Sequence, residues 1–584
     1  MSRHAIRRYA SIVALAFASL LGLSLVLWLE FPPQTATQQL AHGYSSPVVM
    51  PWSFGEISNG NRLNVQLRLH WFSPRRWTII PDDRLTALKV NGRDVPLDGV
   101  RPGGLTDWRH GFDIDLSPWL HRGDNQLEFT VDNYWASGGI VLRPLPGWRT
   151  LPMAAWLLPW LLALARLFRL RRSQLLILAA SLLVLASYWG ATDWTVRNYD
   201  VLRYDGSGHL GYVGYVAHKL HLPPPNEGWE YFQPPLYYLA GAALWRWADW
   251  LELPPAEALQ GLALAFWLVF LVASAAALRI GLRRSTAALG LATAALALWP
   301  SGVIHGLRLG NDPPFYAAAA VATWFMLRWW RGGRPHHLYG MALAIAAALL
   351  CKTSASALLA AAALLFGLRL LRGRWRSLRA WGQGLVAGAI MLAGVGLSLW
   401  RGLWYWWHGQ IASWLIGNIG TLDDSLRVPQ GFRYFIPLDI PVFLTSPWVD
   451  TRDDATGRTN FWNFLLRSAL TGEFSFDDRT LRIVSWGWGA LLLGLLFLLL
   501  ARLGKLRWAP AAAWRETPWI ALSLLWLASI LTVRIQYPFS CEADFRFILP
   551  ILVPFLIACV RNGAAARLLL TVLAGGSVAF FSAL

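Results

Sequence analysis

The sequence predicts a polytopic α-helical membrane protein of about thirteen transmembrane helices, with an extracytoplasmic β-sandwich domain near its N-terminus. Three observations carry this. Apolar runs recur along a chain of 584 residues that is 55% hydrophobic and 15% charged, and about 20 such residues cross a bilayer as a helix. The 52 Lys and Arg outnumber the 33 Asp and Glu, for a net charge of +19, and the excess sits in short loops between the runs. That is the positive-inside pattern, which accounts for the charge without a nucleic-acid partner. Finally, residues of about 31–148 lack an apolar run and alternate in hydropathy instead.

Residues 1–30 read as the first transmembrane helix. Arg3, Arg7 and Arg8 precede an apolar run from about Tyr9 to Trp28, with no small-residue cleavage site, so the N-terminus is placed inside. Within 31–148, Leu63-Val65-Leu67-Leu69-Trp71 and Leu127-Phe129-Val131 have the period of half-buried strands. Asn91-Gly92, between Val90 and Val95, signals a hairpin. With Asp115-Leu116-Ser117-Pro118-Trp119 and Gly123-Asp124-Asn125, this texture resembles jelly-roll sandwiches of the galactose-binding type.

Residues 149–584 form the membrane module. Spans of about 152–168 and 174–190 enclose Arg166, Arg169, Arg171 and Arg172, which belong inside, so the loop 191–258 is outside. Residues 235–251 are apolar but short and carry Arg246 and Asp249; a helix lying in the interface fits them better than a crossing. With that choice Arg279, Arg283, Arg284, Arg328, Arg331, Arg334, Arg369, Arg372, Arg374, Arg376, Arg502, Lys505, Arg561 and Arg567 all fall inside, and the C-terminus outside. A second large outer loop, 402–483, is rich in Trp, Asp and Pro and is expected to form surface helices and loops. The 36 Trp suit interfacial belts, with a minority left to stack on sugars. Cys351, Cys541 and Cys559 predict neither a disulfide nor a cysteine metal site.

The same map puts the acidic candidates on one side: Asp205, Glu230, Asp312, Glu542 and Asp544, together with Glu227, Glu473 and Asp477. Asp205 stands in Tyr204-Asp205-Gly206-Ser207-Gly208-His209, before an amphipathic pattern through Leu210, Val213, Val216 and Leu220. It suits a catalytic carboxylate or a helix cap. Asp312, in Arg308-Leu309-Gly310-Asn311-Asp312 before Pro313-Pro314, has the same two readings. Arg546 follows Glu542 and Asp544 and suits either a phosphate clamp or a local ion pair. Lys352 closes an apolar run and either meets a lipid phosphate or snorkels. Gly472-Glu473-Phe474 carries no mechanism, and His305 and His408 are isolated histidines.

The order and placement of Asp205…His209 and Gln233-Pro234-Pro235-Leu236-Tyr237-Tyr238 resemble the C-type (GT-C) membrane glycosyltransferases, including the protein O-mannosyltransferases and the lipid A aminoarabinose transferases. The resemblance covers roughly 150–560 and departs at Gln233, where many relatives have His or Lys. It implies an inverting glycosyltransferase of a bacterial inner membrane, facing the periplasm. Its donor is a polyprenyl-phosphate-linked sugar and its acceptor an extracytoplasmic glycan, lipid or protein. It implies Asp205 as base. His209, Glu230, Gln233, Tyr237, Asp312, Glu542 and Asp544 contact substrate, and Arg546, Lys352 and Arg308 bind the donor phosphate. A divalent cation is compatible with this set, though no ligand cluster demands one. The rival readings are a transporter or flippase of lipid-linked glycans, which predicts repeats and charges near the bilayer midplane, and a non-catalytic scaffold.

Overall fold

The computed structural model describes residues 3–584 apart from 33, 72, 109–110, 135–137, 145–149, 192–200, 202–205, 283–284, 375–376, 423, 450, 452–456, 477 and 507–509. Asp205 therefore lies outside the described residues. The helix Arg3–Glu30 (α1) comes first, ten strands follow, and the remainder is helical.

The strands are Gln34–Gln39 (β1), Ser45–Val48 (β2), Trp52–Phe54 (β3), Asn61–Leu69 (β4), Arg76–Asp82 (β5), Arg84–Val90 (β6), Arg93–Asp94 (β7), Phe112–Asp115 (β8), Gly123–Asp132 (β9) and Gly138–Pro144 (β10). They pair in two antiparallel sheets, ordered β2-β1-β4-β9-β6-β7 and β3-β10-β5-β8. Both sheets send side chains into one apolar cluster: Leu63, Val65, Leu67, Leu127, Phe129 and Val131 from one, Trp52, Ile79 and Ile140 from the other. The period-2 pattern of β4 and β9 is thus the pattern of one buried face. The expected hairpin is present, with Val90 opposite Arg93. Asn91 and Gly92 have φ of 52° and 76°, the two positive values a type I′ turn requires. Trp71 departs from expectation. The strand ends at Leu69, and Trp71 is 76% exposed rather than part of the core.

Among the described residues nine helices are long and apolar enough to cross a membrane: Tyr9–Leu29, Arg172–Trp189, Pro255–Gly281, Thr353–Arg372, Leu378–Trp407, Arg479–Ala501, Trp514–Gln536, Ser540–Arg561 and Ala564–Ala583. Thr286–Ala297 and Pro300–Gly306, bent by 52°, make a tenth if taken as one broken span. The bend falls where Pro300 cannot donate its backbone N–H and forces Trp299 into an extended conformation. Thirteen crossings require, in addition, the shorter Ala155–Phe168 and Pro335–Cys351 and the helix Asp312–Gly332. The segment read as interfacial is the helix Leu236–Trp250, about 22 Å long and too short for the hydrocarbon core.

Arginines join the helices at one end of the bundle. Arg279 donates to the carbonyls of Arg169 and Phe168, and Arg369 to those of Trp329 and Trp330. Arg561 pairs with Glu516 and donates to the Gly281 carbonyl. In the segment 402–483, Phe461–Thr471 is not a surface helix as expected. Phe461, Phe464, Leu465, Ala469 and Leu470 are buried, and the Ala469 carbonyl accepts from Trp299 Nε1 and Ser301 Oγ, both at 2.7 Å. Packing against the broken span decided its position, which its Trp- and Asp-rich flanks concealed.

Candidate functional site

The segment 206–238 is folded back on itself. Gly206 has φ 71°, and a Cβ at Gly211 would lie 1.7 Å from the Gly206 carbonyl, so only glycine permits this turn over the first turn of the helix His209–Lys219. The N-cap of that helix is Gly208. Ser207 Oγ accepts from the Trp229 N–H at 2.9 Å, and the Ser207 carbonyl from the Glu230 N–H at 3.2 Å. These bonds clamp the two motifs of the segment together.

Glu230 is buried. Gln233 Nε2 donates to its carboxylate at 3.0 Å, and His209 Nε2 lies 4.0 Å away. His209 Nδ1 meets the Tyr238 hydroxyl at 2.7 Å. Burial and the neighbouring Glu230 push the Tyr238 phenol well above its usual pKa, so it stays protonated. Tyr237 is 1% exposed, inside an apolar cluster with Tyr212 and Leu309.

A second segment joins at Gly310, where a Cβ would fall 3.2 Å from the His209 ring. Asn311 Nδ2 donates to Gln233 Oε1 and to the Cys351 carbonyl, both at 3.1 Å. Asp312 opens the helix Asp312–Gly332, but its carboxylate pairs with Lys352 instead of capping the helix. Both side chains are buried, so Lys352 does not snorkel. Burial lowers the Lys352 pKa, and Asp312 acts against that shift. The ammonium also stands 4.5 Å from the centre of the Phe547 ring.

Phe547 belongs to the last segment. Asp544 Oδ1 accepts from the Arg546 N–H at 3.0 Å, and its Oδ2 lies 3.1 Å from Arg546 Nε. Tyr316 donates to the Arg546 carbonyl at 2.8 Å, and Ser468 Oγ accepts from the Phe545 N–H at 3.0 Å. Arg308 is an electrostatic neighbour of Asp312 and Asp544, and Glu542 of Arg546 and Lys352. The structure thus gathers His209, Glu230, Gln233, Arg308, Asp312, Lys352, Glu542, Asp544 and Arg546 in one polar cluster drawn from four chain segments. Asp205 is four residues before His209 in sequence.

The cluster lies at the end of the bundle away from the basic loops. Gln260 donates to the Leu307 carbonyl beside it, whereas Arg279 on the same helix meets the basic end. Nearly twenty helical residues, about 29 Å, separate them. Each carboxylate of the cluster with a described partner faces an amide, an imidazole, an ammonium or a guanidinium. Among the described residues no three His, Cys, Asp or Glu side chains converge as ligands of an ion.

One supporting group escaped the sequence reading. Arg401, buried on the helix Leu378–Trp407, donates to the Tyr212 hydroxyl at 2.7 Å and to the Tyr231 carbonyl. Burial raises the Tyr212 pKa, and Arg401 opposes the shift. An arginine within the apolar run of that helix was the available signal. His305 is wholly buried, neither ring nitrogen is hydrogen-bonded among the described residues, and the ring packs on Phe474 and on Gly472. Gly472 has φ 66°, and a Cβ there would lie 3.1 Å from His305 Nε2. Gly472→Ala is expected to lower stability by about 1 kcal/mol or more, measured as an earlier thermal unfolding midpoint in detergent. An unchanged midpoint would mean that the turn relaxes freely.

No protein-family model and no curated protein matches the chain. Among solved structures it is similar to the arabinosyltransferase EmbB from Mycobacterium smegmatis, with 14% identity and a TM-score of 0.33 over 95% of this chain and 53% of that one. The chain therefore spans about half the length of that structure's chain. A likeness at this level identifies no activity.

Proposed function

We propose that the protein is an inverting glycosyltransferase of a bacterial inner membrane. It moves a monosaccharide from a polyprenyl-phosphate donor to a periplasmic acceptor hydroxyl. One observation carries the reading: charges of both signs from four distant segments are buried together at the end of the bundle opposite the basic loops. Charge buried at membrane depth is costly and marks a functional site by default, and basic loops mark the cytoplasmic side. A transferase working outside the cytoplasm draws its activated sugar from a lipid.

In this mechanism the acceptor hydroxyl oxygen attacks the anomeric carbon as the bond from that carbon to the phosphate oxygen breaks. The electron pair leaves with the polyprenyl phosphate, and Asp205 takes the hydroxyl proton. Arg546, Lys352 and Arg308 stabilise the charge growing on the phosphate. Glu230, Gln233, His209, Asp312, Asp544, Glu542 and Tyr237 hold or shape the sugar pocket. The sandwich stands at the entrance for acceptor.

The test is sugar transfer from synthetic polyprenyl-phosphate monosaccharides by purified protein, wild type beside Asp205→Asn. Transfer or donor hydrolysis is expected from wild type, falling about 10²- to 10⁴-fold in the variant. The broken span at Pro300 is the one feature that favours a transporter. Donor bound by wild type but never cleaved, and moved across vesicles equally by both proteins, would replace the enzyme with that reading.

A further inference from the structure

Strand register identifies the end of the sandwich that meets the helices. β4 and β9 pair from Asn61 opposite Val131 to Leu69 opposite Gly123, and β10 and β5 from Gly139 opposite Asp82 to Pro144 opposite Trp77. The short connection from Leu69 to Arg76 puts Leu69, Gly123, Trp77 and Pro144 at one common end. That end is tied to the bundle twice. The His70 ring stacks on Trp28 with centroids 4.5 Å apart, and its Nε2 lies 2.8 Å from the Trp28 carbonyl. Arg143 donates to the Trp189 carbonyl at 2.9 Å.

Trp28 and Trp189 occupy the last turns of the candidate spans Tyr9–Leu29 and Arg172–Trp189. A helix of the first length rises about 31 Å, the thickness of the hydrocarbon core. Both ties therefore sit where helices emerge at the headgroups. α1 also faces lipid there: Phe17, Leu21, Leu25 and Trp28 are exposed along it.

Trp71 is one residue beyond His70 and is the most exposed tryptophan at this corner. Arg122 stacks on it at 4.3 Å and makes no ion pair among the described residues. An indole and a guanidinium stacked on it beside an emerging span match a headgroup layer, where amphipathic rings settle and phosphates accept charge-assisted hydrogen bonds. We infer that the sandwich rests on the bilayer surface through Trp71 and Arg122, the indole among the headgroups and the guanidinium on lipid phosphate. A glycan, the competing occupant, finds one ring face already covered by Arg122 and a bilayer directly beneath. This seat is independent of the proposed chemistry. It holds the domain at a fixed height beside the bundle.

The test uses the full chain with Cys541→Ser, the other two cysteines being buried. Bimane is attached at Trp71→Cys, or at Tyr134→Cys near the opposite end of the sandwich, about 27 Å away along the strands. The protein is placed in nanodiscs of phosphatidylcholine and phosphatidylglycerol that contain lipid spin-labelled at the headgroup. Quenching at 71 is expected to exceed that at 134 at least five-fold, and to fall by half or more when Arg122→Glu is added. Equal quenching at both sites overturns the inference. So does a probe at 71 that lipid leaves untouched and added oligosaccharide shields. Arg122→Cys, labelled with Trp71 intact, reports on the same corner if the first variant fails to fold.

Discussion

Replacing Lys352 by methionine is expected to lower stability by about 3–5 kcal/mol and to abolish transfer. Lys352 and Asp312 are paired and both buried, so removing the ammonium strands a carboxylate away from water. The companion variant Lys352→Met/Asp312→Leu removes both charges while keeping apolar volume. Replacing a buried pair in this way is often neutral or stabilising. The double variant should therefore regain the wild-type unfolding midpoint, while transfer stays lost if Lys352 meets the donor phosphate. Thermal unfolding in detergent and sugar transfer, measured on all three proteins, separate the two roles. A double variant that is stable and active would make the pair scaffolding and remove Lys352 from the phosphate site.

The features legible in the sequence are those that a repeating environment writes into it. Bilayer thickness sets the apolar runs, and the end-on clustering of Arg279, Arg369 and Arg561 agrees with loops chosen from charge alone. A half-buried sheet writes alternation into β4 and β9, and Asn91-Gly92 announces its own turn. Local pattern also picked out the segments that the fold gathers into the polar cluster. It could not say which residue pairs with which. Asp312 finds Lys352 across 40 residues, and Asn311 finds Gln233 across 78. Nothing in either local sequence prefers these partners to a cap or to water. Two further misreadings share that cause. Trp71 continues the alternation of β4 in sequence but lies beyond the point where the strand ends. The helix Phe461–Thr471 is carried into the interior by the broken span, whose Ser301 and Trp299 bond its Ala469 carbonyl.

Arg401 gives the sharpest separation of activity from stability. It makes no ion pair among the described residues, and its guanidinium holds the Tyr212 hydroxyl and the Tyr231 carbonyl. Those residues flank the elements that carry His209 and Glu230, so Arg401 acts on the site only by positioning them. Arg401→Leu removes the donor to the Tyr231 carbonyl and leaves the Tyr212 hydroxyl with only its 3.5 Å bond to the Gln233 carbonyl, a loss of about 1–3 kcal/mol. It also relieves the burial of a charge that no described carboxylate offsets, worth several kcal/mol in the opposite sense. These terms offset, and the unfolding midpoint should move little. The segment around Glu230, released from the helix Leu378–Trp407, should shift by about an ångström, enough to lower kcat/KM about 10²-fold. Hydrogen exchange should then quicken in residues 207–235 and nowhere else, a change that a global loss of stability does not produce. If transfer falls only in step with the unfolding midpoint, Arg401 is a structural residue. If the midpoint holds, exchange quickens locally and transfer falls, the Arg401 end of that helix is part of the machinery that aligns the cluster with its substrate.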